Sequence, residues 1–123
     1  FAPSIMKEHA KEWFDIPDDF ELNVPYMMQV LPFKENKRDL VPAVCHVDGT
    51  GRLQTVTSAL NERYYSLIKE FFQRTNIPML LNTSFNENEP IVCTPLEAFN
   101  CFSRTKMDML VLNDFIIKRL NND

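Results

Sequence analysis

Two short stretches carry the side chains best suited to chemistry. The first is Asp48-Gly49-Thr50-Gly51-Arg52, preceded by His46, and it holds both glycines of the chain. Glycine adopts positive φ freely, so the pair predicts a tight turn where backbone approaches a ligand. An arginine directly after such a turn suits a phosphate or carboxylate. On spacing alone a β-hairpin turn with a solvated arginine remains open. The second stretch is Asn82-Thr83-Ser84-Phe85-Asn86, which follows the apolar run Met79-Leu80-Leu81. It places amides, hydroxyls and N–H groups at a C-terminal strand end, where ligands bind in open α/β sheets. An Asx or Ser/Thr turn is the ordinary alternative. Taken jointly, the two stretches predict one anion-binding crevice holding Arg52 with Asn82 and Ser84. No Walker loop, dinucleotide fingerprint, Ser-His-Asp set or carboxylate pair stands out. Cys45 beside His46 has the composition of a nucleophile and base, but neighbouring strand residues point to opposite faces. His9, the Lys34–Arg38 run and the acidic loop around Asp18 read as ordinary surface features.

These residues need elements to position them. "PSIMKEHAKEWF" predicts a helix capped by Ser4, with Ile5, His9 and Trp13 near one face. Strands are predicted over Tyr26–Leu31, Val41–Val47 and "RLQTVT" from Arg52. His46 and Asp48 would then alternate along a strand and share a side. "NERYYSLIKEFFQRTN" is the clearest helix, with Asn61 as cap and Tyr64, Leu67, Ile68, Phe71 and Phe72 at helical spacing. "IPMLLN" predicts a buried strand. "TPLEAFNCFSRT" predicts a helix with Thr94 as cap, Pro95 first and Glu97 completing a capping box. Met109–Leu112 and Phe115–Lys118 predict two strands around an Asn113-Asp114 turn. A right-handed parallel crossover is expected in this half. The fold class expected is α+β, close to α/β: a mixed, twisted sheet with helices packed on it.

Composition narrows the function classes. The chain has 123 residues, 45 % apolar and 24 % charged, with ten phenylalanines and a net charge of −4. That predicts one domain with an aromatic-rich core, and it argues against nucleic acid or a membrane surface as partner. Three cysteines without CxxC spacing suggest neither a disulfide framework nor a zinc site, and a cytoplasmic location is expected. "FAPSIM" reads as sequence from inside a longer protein, so an excised domain is expected.

"FAPSIM", "HVDGTGRLQTV", "LLNTSFNENEPIVCTPLEAFNCF" and "MDMLVLNDFII" together resemble, in the same order, the C-terminal domain of the nodulation-type and antibiotic O-carbamoyltransferases. The resemblance runs over nearly the whole chain and is weakest over Asp15–Leu40. It implies a YrdC-like fold that makes carbamoyl adenylate from carbamoyl phosphate and ATP with Mg²⁺. It also implies a larger N-terminal domain, bearing iron, that transfers the carbamoyl group to a substrate hydroxyl. Arg52, Asn82 and Ser84 match residues expected around carbamoyl phosphate and the nucleotide phosphates. Arg52 and Ser84 would act in catalysis, and His46, Asp48, Thr50 and Thr83 belong to the same motifs. In the family an Arg and a Lys before the Phe of FAPS help bind the phosphates, so residues 1–123 alone are expected to be nearly inactive. The competing expectation is a non-catalytic module that binds a nucleotide or acyl phosphate, and a dimerisation domain is the third. A homodimer is compatible with all three.

Overall fold

The computed structural model describes residues 1–120, which fall into two compact units, Phe1–Thr83 and a second that starts at Ser84. The first unit is built on a four-stranded sheet of order β2-β3-β1-β4. These strands are β1 (Ala2–Met6), β2 (Gln29–Pro32), β3 (Thr50–Val56) and β4 (Met79–Asn82). β1 runs parallel to β3 and antiparallel to β4, and β2 pairs antiparallel with β3. The sheet is therefore mixed, and the α+β expectation holds.

Ser4 is not a helix cap. Ala2–Met6 forms the central strand β1, and all five of its residues are buried. A strand covered on both faces does not alternate apolar with polar. The fourfold spacing of Ile5, His9 and Trp13 imitates a helix across what is a strand and a following turn. Only Lys7–His9, a 3-10 turn, and α1 (Ala10–Trp13) are helical there. The strand expected over Val41–Val47 is also absent: the N–H groups of Val44 and Cys45 both donate to the Val41 carbonyl. Val41 and Val44 are both buried, which is the spacing of a turn against the core rather than of a strand. β2 starts three residues later than expected, at Gln29, and keeps Pro32 on the sheet edge, where a missing N–H is tolerated.

The main core of this unit gathers Ile5, Trp13, Phe14, Phe33, Leu53 and Met79. The Phe14 and Phe33 rings lie 4.1 Å apart, tilted by 32°. On the other sheet face, α2 (Glu62–Thr75) lays Tyr64, Tyr65, Ile68 and Phe72 over Met6, Val56 and Leu80. Its ends form as the sequence dictates. The Asn61 side chain accepts from the Tyr64 N–H at 3.1 Å, and Asn76 ends the helix at φ 59°. Truncating the fully buried Ile68 to alanine removes about 2–5 kcal/mol of stability.

The second unit has its own small core of Ala98, Phe102 and Leu110, with Phe85 and Ile117 packed against it. It holds α3 (Pro95–Arg104) and a hairpin of β5 (Met109–Leu112) and β6 (Phe115–Lys118). Asn113 makes the turn at φ 51°. The parallel crossover is not found: β5 pairs antiparallel with β6 in a separate two-stranded sheet. β5 buries Leu110 while Met109 and Val111 stay exposed. A strand with one covered face belongs to a hairpin rather than to a parallel sheet covered twice. Arg119 lies over the Phe102 ring at 4.7 Å and donates to the Met107 carbonyl at 3.0 Å. No helix among the described residues is long and apolar enough to cross a membrane.

Candidate functional site

His46, Asp48 and Thr50 do converge, but through a turn rather than along a strand. The His46 N–H donates to the Thr50 carbonyl at 2.7 Å, and the Gly49 N–H to the His46 carbonyl at 2.9 Å. Gly49 supplies the positive φ, 81°, that closes the turn. Asp48 Oδ1 accepts from the Thr50 hydroxyl at 2.7 Å and from its N–H at 3.0 Å. The Thr50 hydroxyl is the first cause, and its N–H the second, of a carboxyl pKa held below the ordinary value. His46 Nδ1 stands 3.1 Å from the same hydroxyl, and Nε2 is 3.3 Å from the Phe1 carbonyl. A carbonyl only accepts, so Nε2 is the donor nitrogen. The turn thus ties the start of β3 to the start of β1. Its Gly49 and Thr50 N–H groups are already engaged, so the anion nest expected there is not open at those two positions.

Sequence reasoning missed Arg38. It is half-buried, donates through Nε to the Phe33 carbonyl at 3.2 Å, and lays its guanidinium against Gly49. A side-chain carbon added at Gly49 would sit 2.6 Å from the guanidinium carbon. A cation inside a charged connection gives no sequence signal of such a contact.

Arg52 lies on β3, exposed, with no side-chain hydrogen bond or ion pair among the described residues. Its face of the sheet follows from the register. Ser4 pairs with Gln54, so two residues back along both parallel strands Ala2 lies beside Arg52. Ala2 also pairs with Asn82 on β4, and Arg52 with Val30 on β2. Arg52, Ala2 and Asn82 therefore form one cross-strand row on one face, with Arg52 and Asn82 backbones about 10 Å apart. Ala2, between them, is fully buried and contributes only a methyl group to that row.

The next row supplies a second set that sequence reasoning missed. Gln54 Oε1 accepts from the Ser4 hydroxyl at 2.5 Å and from Asn82 Nδ2 at 2.7 Å, while Gln54 Nε2 donates to the Pro25 carbonyl at 3.0 Å. Ser4 is fully buried. The only sequence signal was alternation: Thr50, Arg52 and Gln54 share a face at period two. Gln54 also lines a cavity of about 270 Å³ with Tyr26, Asn61 and Tyr64.

Thr83 closes the first unit and Ser84 opens the second; both are exposed. The rest of the polar stretch is held within its own unit. Asn86 Nδ2 donates to the Glu89 carbonyl at 2.8 Å, and the Val92 N–H to the Phe85 carbonyl at 3.0 Å. Phe85 joins the small core, which answers why an aromatic sits among polar residues. Glu89 accepts from the Asn88 N–H at 3.1 Å and from Arg104 at 2.5 Å. Its carboxyl is held at about 2, first by its own backbone N–H, with the Asn88 N–H, Cys101 and Arg104 adding to the effect. Burial pushes the Cys45 thiol up, and Sγ donates to the His46 carbonyl at 3.5 Å.

The first unit thus presents an exposed arginine and an oriented amide on one sheet face, next to a turn of His, Asp and Thr: an α+β module with a polar face. The chain belongs to the family described as carbamoyltransferase C-terminus, which matches residues 1–119. It is 48 % identical over 120 residues to the nodulation protein NolNO of Sinorhizobium fredii, covering 97 % of this chain and 18 % of that protein. To the nodulation protein NolO of Bradyrhizobium diazoefficiens it is 43 % identical, covering 97 % and 22 %. An uncharacterised protein of Methanocaldococcus jannaschii is 37 % identical, covering 98 % and 23 %. The chain therefore spans about a fifth of the length of these relatives.

Proposed function

We propose that this chain is the part of an O-carbamoyltransferase that binds carbamoyl phosphate and ATP and forms carbamoyl adenylate. A further N-terminal domain then passes the carbamoyl group to a substrate hydroxyl, releasing AMP. The observation that supports this reading, beside family membership, is the register that sets Arg52 and Asn82 on one cross-strand row, with Ala2 between them. One offers a permanent cation to phosphate oxygens, the other an amide to the acyl group. Ser84, two residues beyond Asn82 in the chain, and the nearby Thr83 are assigned as further donors. His46, Asp48 and Thr50 shape the turn from which Arg52 projects.

The chemistry needs little more than placement. Water first takes the phosphoryl group from carbamoyl phosphate, leaving carbamate. A carbamate oxygen then bonds to the α-phosphorus of ATP as the bond to pyrophosphate breaks. Charge builds on phosphate oxygens throughout, so fixed donors and cations supply most of the catalysis. No side-chain nucleophile is required, in keeping with the raised Cys45 thiol. The described residues contain no group of three or more His, Cys, Asp or Glu able to hold a metal. Mg²⁺ commonly arrives on nucleotide phosphates rather than in an all-protein cage, and would there neutralise part of their charge.

The test is pyrophosphate release by the natural protein that carries this chain, given ATP and carbamoyl phosphate. Arg52→Ala is expected to slow it by about two to three decades with folding unchanged, since the side chain is exposed. Binding of both ligands without any pyrophosphate would instead favour a regulatory module.

A further inference from the structure

We infer that Gln54 fixes which end of the Asn82 amide faces a ligand, and that this sets the site's preference for an acyl group bearing N–H donors. The inference rests on the carbamoyl phosphate reading above.

The Pro25 carbonyl is a backbone acceptor and has no proton to give. The end of Gln54 that meets it at 3.0 Å must be the NH₂ group; the flipped amide would set two carbonyl oxygens against each other. Oε1 is therefore at the other end, where it meets the Ser4 hydroxyl and Asn82. Ser4 is fully buried, so its hydroxyl is committed to that oxygen. Asn82 must then present Nδ2 to Gln54. Its Oδ1 becomes the outward end and has no hydrogen bond among the described residues. The polarity of a residue on β4 is thus set by a backbone carbonyl before β2, through a side chain on β3.

An outward amide oxygen accepts. A carbamoyl group offers it an NH₂; an acetyl group of nearly the same shape offers a methyl, and leaves the oxygen unpaired. A site built on a hydrogen bond rejects the analogue that lacks it. Gln54 and Ser4 are positioning residues in this scheme, acting through Asn82.

The experiment compares carbamoyl phosphate with acetyl phosphate on the natural protein that carries this chain, by calorimetric binding and by pyrophosphate release. Wild type is expected to prefer carbamoyl phosphate. Gln54→Leu combined with Ser4→Ala, which leaves no buried hydroxyl unpaired, frees the Asn82 amide to turn, and the preference should fall about tenfold, the worth of one hydrogen bond. Gln54→Glu still accepts from Ser4 and Asn82, so it should lower both donors yet keep their ratio. A purely structural role would lower both donors equally in every variant, and an unchanged ratio in the double variant overturns the inference. Equal binding of the two donors by wild type overturns it as well. Wild type that binds carbamoyl phosphate preferentially but releases no pyrophosphate overturns the adenylation step instead, and the binding ratios still decide the role of Gln54.

Discussion

Thr50 gives both its hydroxyl and its backbone N–H to a single oxygen of Asp48, at 2.7 and 3.0 Å. One residue thereby locks the turn that leads into β3, and the lock depends on the charge of the carboxylate.

Acid should open that turn. The folded pKa of Asp48 lies below its ordinary value of 3.8. A depressed carboxyl contributes stability above the unfolded pKa and loses it as pH falls through the folded one. The carboxyl carbon of Asp48, followed by NMR, should titrate with a midpoint below 3.8, and the Thr50 amide should exchange faster over the same window. Asp48→Asn keeps an acceptor oxygen and should abolish that pH dependence. A midpoint at or above the ordinary value would refute the lock.

The two glycines should fail for different reasons. Alanine at Gly49 meets a positive φ of 81° and the Arg38 guanidinium. The backbone part costs about 1–2 kcal/mol, and the steric part falls on a flexible side chain. At Gly51 the added carbon would stand 2.5 Å from Phe33 Cε2 and 3.3 Å from Phe14 Cε1. Both rings are fully buried and cannot retreat, so overpacking of about 1–3 kcal/mol is expected. In urea unfolding, Arg38→Ala should recover part of the loss from Gly49→Ala and none of that from Gly51→Ala. Strict additivity at Gly49 would exclude the contact.

How much of this was legible in the sequence depended on the range of the forces. Asn61 and Thr94 cap their helices as their types dictate, because a cap involves only the next few residues. α2 was legible because one helix face repeats through four turns. Ser4 was misread because a strand buried on both sides has no period to show. Arg52 and Asn82 were singled out by type, but their shared row required the register of three strands. Ser4 and Gln54 escaped because they meet each other from 50 positions apart, and Arg38 because a cation within a charged run carries no local mark of its contact with Gly49.

α3 should depend on its first turn. Thr94 accepts from the Glu97 N–H at 3.2 Å, and Glu97 accepts from the N–H groups of Cys93 at 2.8 Å and Thr94 at 2.9 Å. Thr94→Ala should cost about 1 kcal/mol of stability, read as a lower melting temperature. The Cys93 N–H, first, and the two Thr94 groups hold the Glu97 carboxyl below 4.5. That contribution is present at neutral pH and is lost as pH falls through the lowered value. Glu97→Gln, which keeps the acceptor oxygen, should remove the acid sensitivity. Unchanged sensitivity in that variant would locate its source elsewhere.

The three cysteines should react in a fixed order. Cys93 is exposed, Cys45 is half-buried and Cys101 is buried within α3. Burial raises the Cys101 thiol first, and the bond to the Glu89 carboxylate raises it further. Only a thiolate reacts with an alkylating agent, so both access and ionisation protect Cys101. Peptide mass mapping after brief iodoacetamide treatment at neutral pH should find Cys93 labelled first and Cys45 next. Cys101 should label only when α3 opens, and Thr94→Ala, by loosening that helix, should raise its rate without changing that of Cys45. Labelling of Cys101 as fast as Cys93 in the untouched protein would show that α3 does not cover it.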